Sequence, residues 1–398
     1  MTLILDRPST TVAERELRAD LVARAAGLVP LLKRNAAKTE QDRRVAEENI
    51  TAIEQAGLFT ITQPRRYGGL EVNFRTKLEV IRELARGCGS TSWTVNLLTD
   101  GAFFAGQWNE RAQDDVWGAN PRARIAGVLS PTAKAEVVDG GYRVTGRWAN
   151  CTGVLHAQWV SLSVPVDGGL ALMLVPVEDV TIEDTWFVAG MRGTGSNTVV
   201  AEDVFVPAHR FLSLHKLTSG QNDNPYKDEV LYRTPFAPGA TINLAPTQLG
   251  LARAALDYVI EKAATRGITF TFYETQAGAP TVQLSIARAA NLIDIAEMLA
   301  YRAAADVDEA ARLGEFPDYA ARARVRMDTA QSVVNARDAI RELVSAYGAS
   351  AFAETNPLQR IWRDSEVASR HAIANPAIGA EVYGRALLGH TGGVTPLL

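Results

Sequence analysis

The spacing of apolar residues changes twice along this chain, and that double change limits the fold more than any single motif. From about residue 12 to 118 the apolar residues recur three and four apart. In VAERELRADLVARAAGLVPLLKR, Leu17, Leu21, Ala25, Leu28 and Leu32 share one helical face. Pro30 inside that run predicts a kink or a division in two. A second helix is expected over 43–57, closed by Gly57, with Pro64 and Gly68-Gly69 marking the loop after it. FRTKLEVIRELARGCG reads as a third helix, and Ser90 as the N-cap of a fourth, TSWTVNLLTDGAFFAG. From about 122 to 215 the pattern becomes short runs rich in Val, Leu and aromatics: GYRVTGRW, QWVSLSVPV, ALMLVPV and NTVVAEDVFVP. Asp139-Gly140-Gly141 and Asp167-Gly168-Gly169 separate some of them, as in hairpin-linked antiparallel strands. No ten-residue helical pattern lies between these runs, which argues against a parallel nucleotide-binding sheet. LTSGQNDNPYKDE is polar and reads as a loop. From about 238 long Ala-rich helices return, with stops near Gly314 and Gly348, and two shorter helices follow.

The expected fold class is therefore α+β. It has an N-terminal helical domain over 1–120, a middle antiparallel, barrel-like β domain over 121–216, and a C-terminal four-helix bundle over 217–398. Alanine on several faces of the long helices permits close packing, within one chain or between copies. The length of 398 residues suits such a multidomain chain.

Charge and composition remove several functions. Lys plus Arg is 41 and Asp plus Glu is 45, giving a net charge of −4 and no basic excess for nucleic acid. The two cysteines, Cys88 and Cys151, build no disulfide framework and fit a reducing, cytoplasmic setting. MTLILDRPST lacks the long apolar core of a secretory signal, and no apolar run has the length of a membrane span. The five histidines form no HExxH and no zinc spacing, so no metal site is expected. There is no phosphate-loop motif and no GxSxG elbow. GMRGTGS, 190–196, carries GxG but has Thr198 where a dinucleotide fingerprint needs glycine, and it lies between strands. The residues alone leave two readings open: a cofactor enzyme whose site is assembled between domains, or a helical scaffold.

The order of helices, small β domain and helical bundle resembles the acyl-CoA dehydrogenase fold. Tyr67-Gly68-Gly69, GMRGTGSNTVVAEDVFVP, Arg266 and NPLQRIWRD stand in the order that fold places them, over some 300 residues. Within it, GYRVTGRWANCTG and RDSEVASRH are similar to motifs of the group D flavin monooxygenases, the oxygenase halves of two-component aromatic hydroxylases. Dehydrogenases of this fold carry a catalytic glutamate whose alternative places align near Ala372 and Ala240, and neither neighbourhood offers one. Their Gln-x-x-Gly-Gly segment is LVSAYGASAF here, so the adenine-side contacts depart from the pattern. The resemblance implies reduced FAD, with FMN as the other option, delivered by an NAD(P)H-dependent flavin reductase. It implies reaction with O2 through a flavin C4a-hydroperoxide and hydroxylation of a phenol- or indole-like substrate, in a homotetramer. An acyl-CoA dehydrogenase-like FAD oxidoreductase and a non-catalytic scaffold are the alternatives.

The resemblance also assigns residues. His371 is the expected acid–base or hydrogen-bonding group, since an imidazole titrates near neutrality; otherwise it is a histidine at a helix C-terminus. Thr152 is expected at flavin N5; otherwise it ends a strand. Ser130, Trp148, Thr194, Ser196 and Arg266 are the other expected cofactor contacts, Arg266 at the phosphates. Their structural alternatives are turn, core, hairpin and helix-end residues. Trp93 and Phe103 are expected in the substrate pocket, or else in the core.

Overall fold

The computed structural model describes residues 11–166 and 169–398. The first ten residues, and Asp167 and Gly168 of the second expected turn, lie outside the described residues. Helix α1 (Val12–Gln41) opens with a capping box in which the Thr11 hydroxyl accepts from the Glu14 amide and the Glu14 carboxylate accepts from the Thr11 amide. It runs through Pro30 as one helix, so it is not divided in two there. Pro30 is exposed, so water can serve the one carbonyl that loses its donor, while Leu21, Ala25, Leu32 and Ala36 anchor the buried face. Helix α2 (Glu47–Gln55) starts later than residue 43 because Arg43 takes a left-handed backbone, φ 50°. Helices α3 (Phe74–Ala85), α4 (Gly89–Ala105) and α5 (Glu110–Trp117) follow. Ser90 does not cap α4: the helix begins at Gly89, two residues earlier than expected, after Cys88, and Ser90 is buried in its first turn.

Among the described residues eight strands follow: β1 (Ile125–Val128), β2 (Ala133–Val138), β3 (Gly141–Trp148), β4 (Trp159–Val166), β5 (Gly169–Pro176), β6 (Thr181–Glu183), β7 (Thr198–Pro207) and β8 (Phe211–Ser213). They form two four-stranded sheets, ordered β1-β4-β5-β8 and β2-β3-β7-β6. Contrary to the purely antiparallel expectation, β1 pairs parallel with β4, from Ile125↔Trp159 to Val128↔Leu162. The intervening β2–β3 hairpin belongs to the other sheet, so the chain leaves and returns in the same direction, which a tight turn cannot do. Val144, Trp148 and Val199 from one sheet and Leu162, Ala171 and Met173 from the other share one apolar core, which continues into α1 and α3.

The C-terminal part comprises α6 (Leu214–Thr218), α7 (Phe236–Ile242), α8 (Pro246–Ala263), α9 (Pro280–Leu313), α10 (Tyr319–Tyr347), α11 (Pro357–Ala368) and α12 (Pro376–Leu387). Gly314 ends α9 in the left-handed region, φ 70°. The long helices approach closely over fully buried alanines: Ala289, Ala296, Ala300, Ala330, Ala336 and Ala339. Helix α3 docks on α8, so Phe74 and Leu78 enter the same core as the bundle. Among the described residues, no helix is long and apolar enough to cross a membrane.

Candidate active site

Helix α4 is the axis of the site. Its residues are buried along the whole length except at Leu97. A helix enclosed on all faces is ordinarily core, so a single partly open residue in mid-helix marks where α4 meets free space. One turn earlier, the Trp93 ring lies 6.0 Å from the His371 ring, tilted by 55°. His371 stands three residues beyond α11, its amide bonded to the Ala368 carbonyl at 3.2 Å, and it opens the short turn Ala372–Ala374. Its Nδ1 accepts from the Ile373 amide at 3.3 Å. Burial pushes the imidazole down to about 4. At neutral pH the ring is therefore uncharged, with its hydrogen on Nε2.

The glycine loop between β6 and β7 packs on the first turn of α4, where Gly193 leaves no room for a Cβ against Thr39 and Ser90. Gly190 meets the Arg363 carbonyl just as closely. Met191 holds a left-handed backbone, φ 56°, unusual for a non-glycine residue. The Asp364 carboxylate on α11 accepts the Met191 amide at 2.5 Å. Burial raises Asp364 to about 6. The Met191 carbonyl accepts the Thr194 hydroxyl at 2.9 Å and the Trp186 indole N–H at 2.9 Å. From Thr194 a line of buried hydroxyls continues: Thr194 to Ser196 at 2.7 Å, and Ser196 to Thr152 at 2.7 Å. Gly153, next to Thr152, abuts Leu98 of α4. The structure thus brings Thr152, Thr194 and Ser196 together on one side of α4, and Trp93 and His371 together at the same helix.

Residues 15–105 match the family described as acyl-CoA dehydrogenase, N-terminal domain, and residues 242–376 the acyl-CoA dehydrogenase, C-terminal domain. The chain is 35% identical over 392 residues to the oxygenase component of the FADH(2)-dependent resorcinol hydroxylase of a Rhizobium species, covering 95% of this chain and 96% of that one. It is 33% identical to the oxygenase subunit HsaA of a Rhodococcus jostii flavin-dependent monooxygenase, covering 90% and 95%. This chain belongs to the two-component flavin-dependent monooxygenases, as an oxygenase component. The solved structure of XiaF from a Streptomyces species, in complex with FADH2 and glycerol, superposes with a TM-score of 0.91 at 38% identity, covering 97% of this chain and 99% of that one.

Other residues singled out in the sequence of this monooxygenase sit elsewhere. Ser130 is exposed in the loop after β1, outside the hydroxyl cluster. Trp148 is wholly buried between the sheets, its indole N–H donating to the Ser163 carbonyl at 2.9 Å. Phe103 is buried among Phe74, Phe104, Tyr232 and Phe236. Arg266 follows α8; it donates to the Ser350 hydroxyl at 2.7 Å, and its guanidinium lies 3.7 Å from the centre of the Tyr347 ring. Burial pushes the Cys151 thiol up to about 12, so it is no nucleophile at neutral pH. No cluster able to hold a metal occurs among the described residues. Sequence reasoning passed over Asp364, Met191 and Leu97. Asp364 stands inside the quoted RDSEVASRH, but nothing local reveals that it reaches back to residue 191.

Proposed function

We propose that this oxygenase takes reduced FAD from a separate NAD(P)H-dependent reductase in the cytoplasm and hydroxylates a phenol- or indole-type ring with O2. Bound reduced FAD would supply the electrons that activate oxygen. The observation that carries the reading is the uncharged, half-buried His371 set against Trp93 at the one open stretch of α4. Its Nε2–H has no acceptor among the described residues, so it is available to orient a phenolic oxygen. Trp93, Leu97 and Ile373 offer the apolar wall for an aromatic ring, while the enclosure of α4 keeps water out. Thr152, backed by Ser196 and Thr194, would face flavin N5, and Arg266 would approach the phosphates. The resorcinol hydroxylase and the FADH2 complex of XiaF support the choice of cofactor and of substrate class. A homotetramer is supported by apolar surface: Leu284, Ile295 and Met298 are exposed on α9, as are Phe270 and Phe272 in the loop after Arg266.

The test is anaerobic mixing of the protein and reduced FAD with oxygenated buffer, with and without a panel of phenols and indoles. The expected result is a return of oxidised-flavin absorbance delayed well beyond that of free reduced FAD, together with hydroxylated product. Oxidation at the free rate, yielding hydrogen peroxide alone, would overturn the proposal.

A further inference from the structure

The hydroxyl line beside α4 has a fixed direction, and that direction decides what Thr152 can bind. A hydroxyl owns one hydrogen. Thr194 gives its hydrogen to the Met191 carbonyl, which only accepts. The 2.7 Å contact between Thr194 and Ser196 therefore uses the hydrogen of Ser196. The 2.7 Å contact between Ser196 and Thr152 must then use the hydrogen of Thr152. Thr152 is left with lone pairs alone. The Met191 carbonyl that starts the sequence is itself held in place. Its residue sits in the left-handed region, its amide is bonded to Asp364, and the Thr194 amide and the Trp186 indole also donate to that carbonyl.

We propose that the relay Thr152→Ser196→Thr194→Met191 carbonyl is a redox filter: it presents an acceptor at Thr152, so this site welcomes an N–H donor and rejects another acceptor. The inference rests on the reading that Thr152 faces flavin N5. In reduced flavin N5 carries a hydrogen and can donate to Thr152. In oxidised flavin N5 is a lone pair, and two buried lone pairs would face each other with no hydrogen between them. Thr194, Ser196 and Asp364 are thus positioning residues that act through Thr152. They let the oxygenase take up reduced flavin and release it once oxidised, without any movement of the fold.

The experiment measures the dissociation constants of oxidised FAD in air and of reduced FAD under anaerobic conditions, for the full-length protein and four variants. Ser196→Ala and Thr194→Val each cut the relay and free the Thr152 hydrogen, so Thr152 can serve either redox state. Both should lower the preference for reduced over oxidised FAD roughly tenfold, chiefly by tightening oxidised FAD. A tenfold change equals about 30 mV in the two-electron potential of the bound flavin, a second readout independent of turnover. Thr194→Ser keeps the hydroxyl and should keep the wild-type preference. Thr152→Val should weaken reduced FAD and leave oxidised FAD no weaker. If Thr152→Val changes neither constant, the assignment of Thr152 to N5 is wrong and the relay proposal falls with it. If Thr152→Val behaves as expected but Ser196→Ala keeps the wild-type preference, the filter is overturned and the N5 assignment survives. Because Ser196→Ala leaves the Met191 turn intact, its outcome decides even if Thr194→Val folds poorly.

Discussion

Replacing Asp364 by alanine removes the carboxylate through which α11 holds the Met191 amide of the glycine loop, beside the contact of Arg363 with the Ala189 carbonyl. Met191 is 2% exposed, so its amide hydrogen would be left buried and unpaired. Such a loss costs about 1–3 kcal/mol. The left-handed strain of Met191 is already present in the wild-type fold, so it adds nothing to this difference. At about 2.1 cal/mol/K per residue, a chain of this length loses about 1–4 °C of Tm for that energy if it unfolds as one unit. Asp364→Asn keeps an acceptor oxygen and should stay within about 1 kcal/mol of wild type. The charge makes a separate, opposite contribution. The folded pKa of Asp364 is raised to about 6, so the folded state holds this proton more tightly than the unfolded chain. Its contribution to stability is therefore lost as pH rises from about 4 to about 6, and both variants should remove that slope. Calorimetry from pH 4 to 8, paired with reduced-FAD titration, checks both parts. Equal destabilisation by Asn and Ala would refute the hydrogen-bond account, as would an alanine variant as stable as wild type.

Two further outcomes follow from the pocket side of α4. His371 is pushed down to about 4, so the folded state holds this proton less tightly than the unfolded chain, and its contribution to stability is lost as pH falls from about 6.5 to about 4. His371→Ala should flatten that acid limb in pH-dependent denaturation, and at pH 7 it should lower kcat/KM for a phenol about 10- to 100-fold through the lost Nε2–H donor. An unchanged kcat/KM would place the substrate elsewhere. Leu97→Trp should fill the open stretch of α4, cutting kcat/KM at least about tenfold while the reduced-FAD dissociation constant holds steady. Full turnover in that variant would mean that the aromatic ring does not enter beside Leu97.

Much of the site was legible as residue types. The RDSEVASRH and GRWANCTG stretches pointed to His371 and Thr152, and the hydroxyls of GMRGTGS proved to be neighbours of Thr152. Their arrangement was not legible. The contact between Met191 and Asp364 spans 173 residues, and that between Thr152 and Ser196 spans 44. Trp148 and Phe103 look from sequence like ring-binding residues, yet packing encloses both in the core. The sequence by itself determined what depends on near neighbours. The order of helices, strands and helices follows from residues two to four apart, and the helix stops at Gly314 and Gly348 from backbone freedom at single positions. Only the tertiary structure decided the parallel β1–β4 pair, the unbroken α1, the single opening at Leu97 and the direction of the hydroxyl relay. Each of these depends on which distant surfaces come together. A buried group must take its hydrogen-bond partner from whatever the packing places beside it.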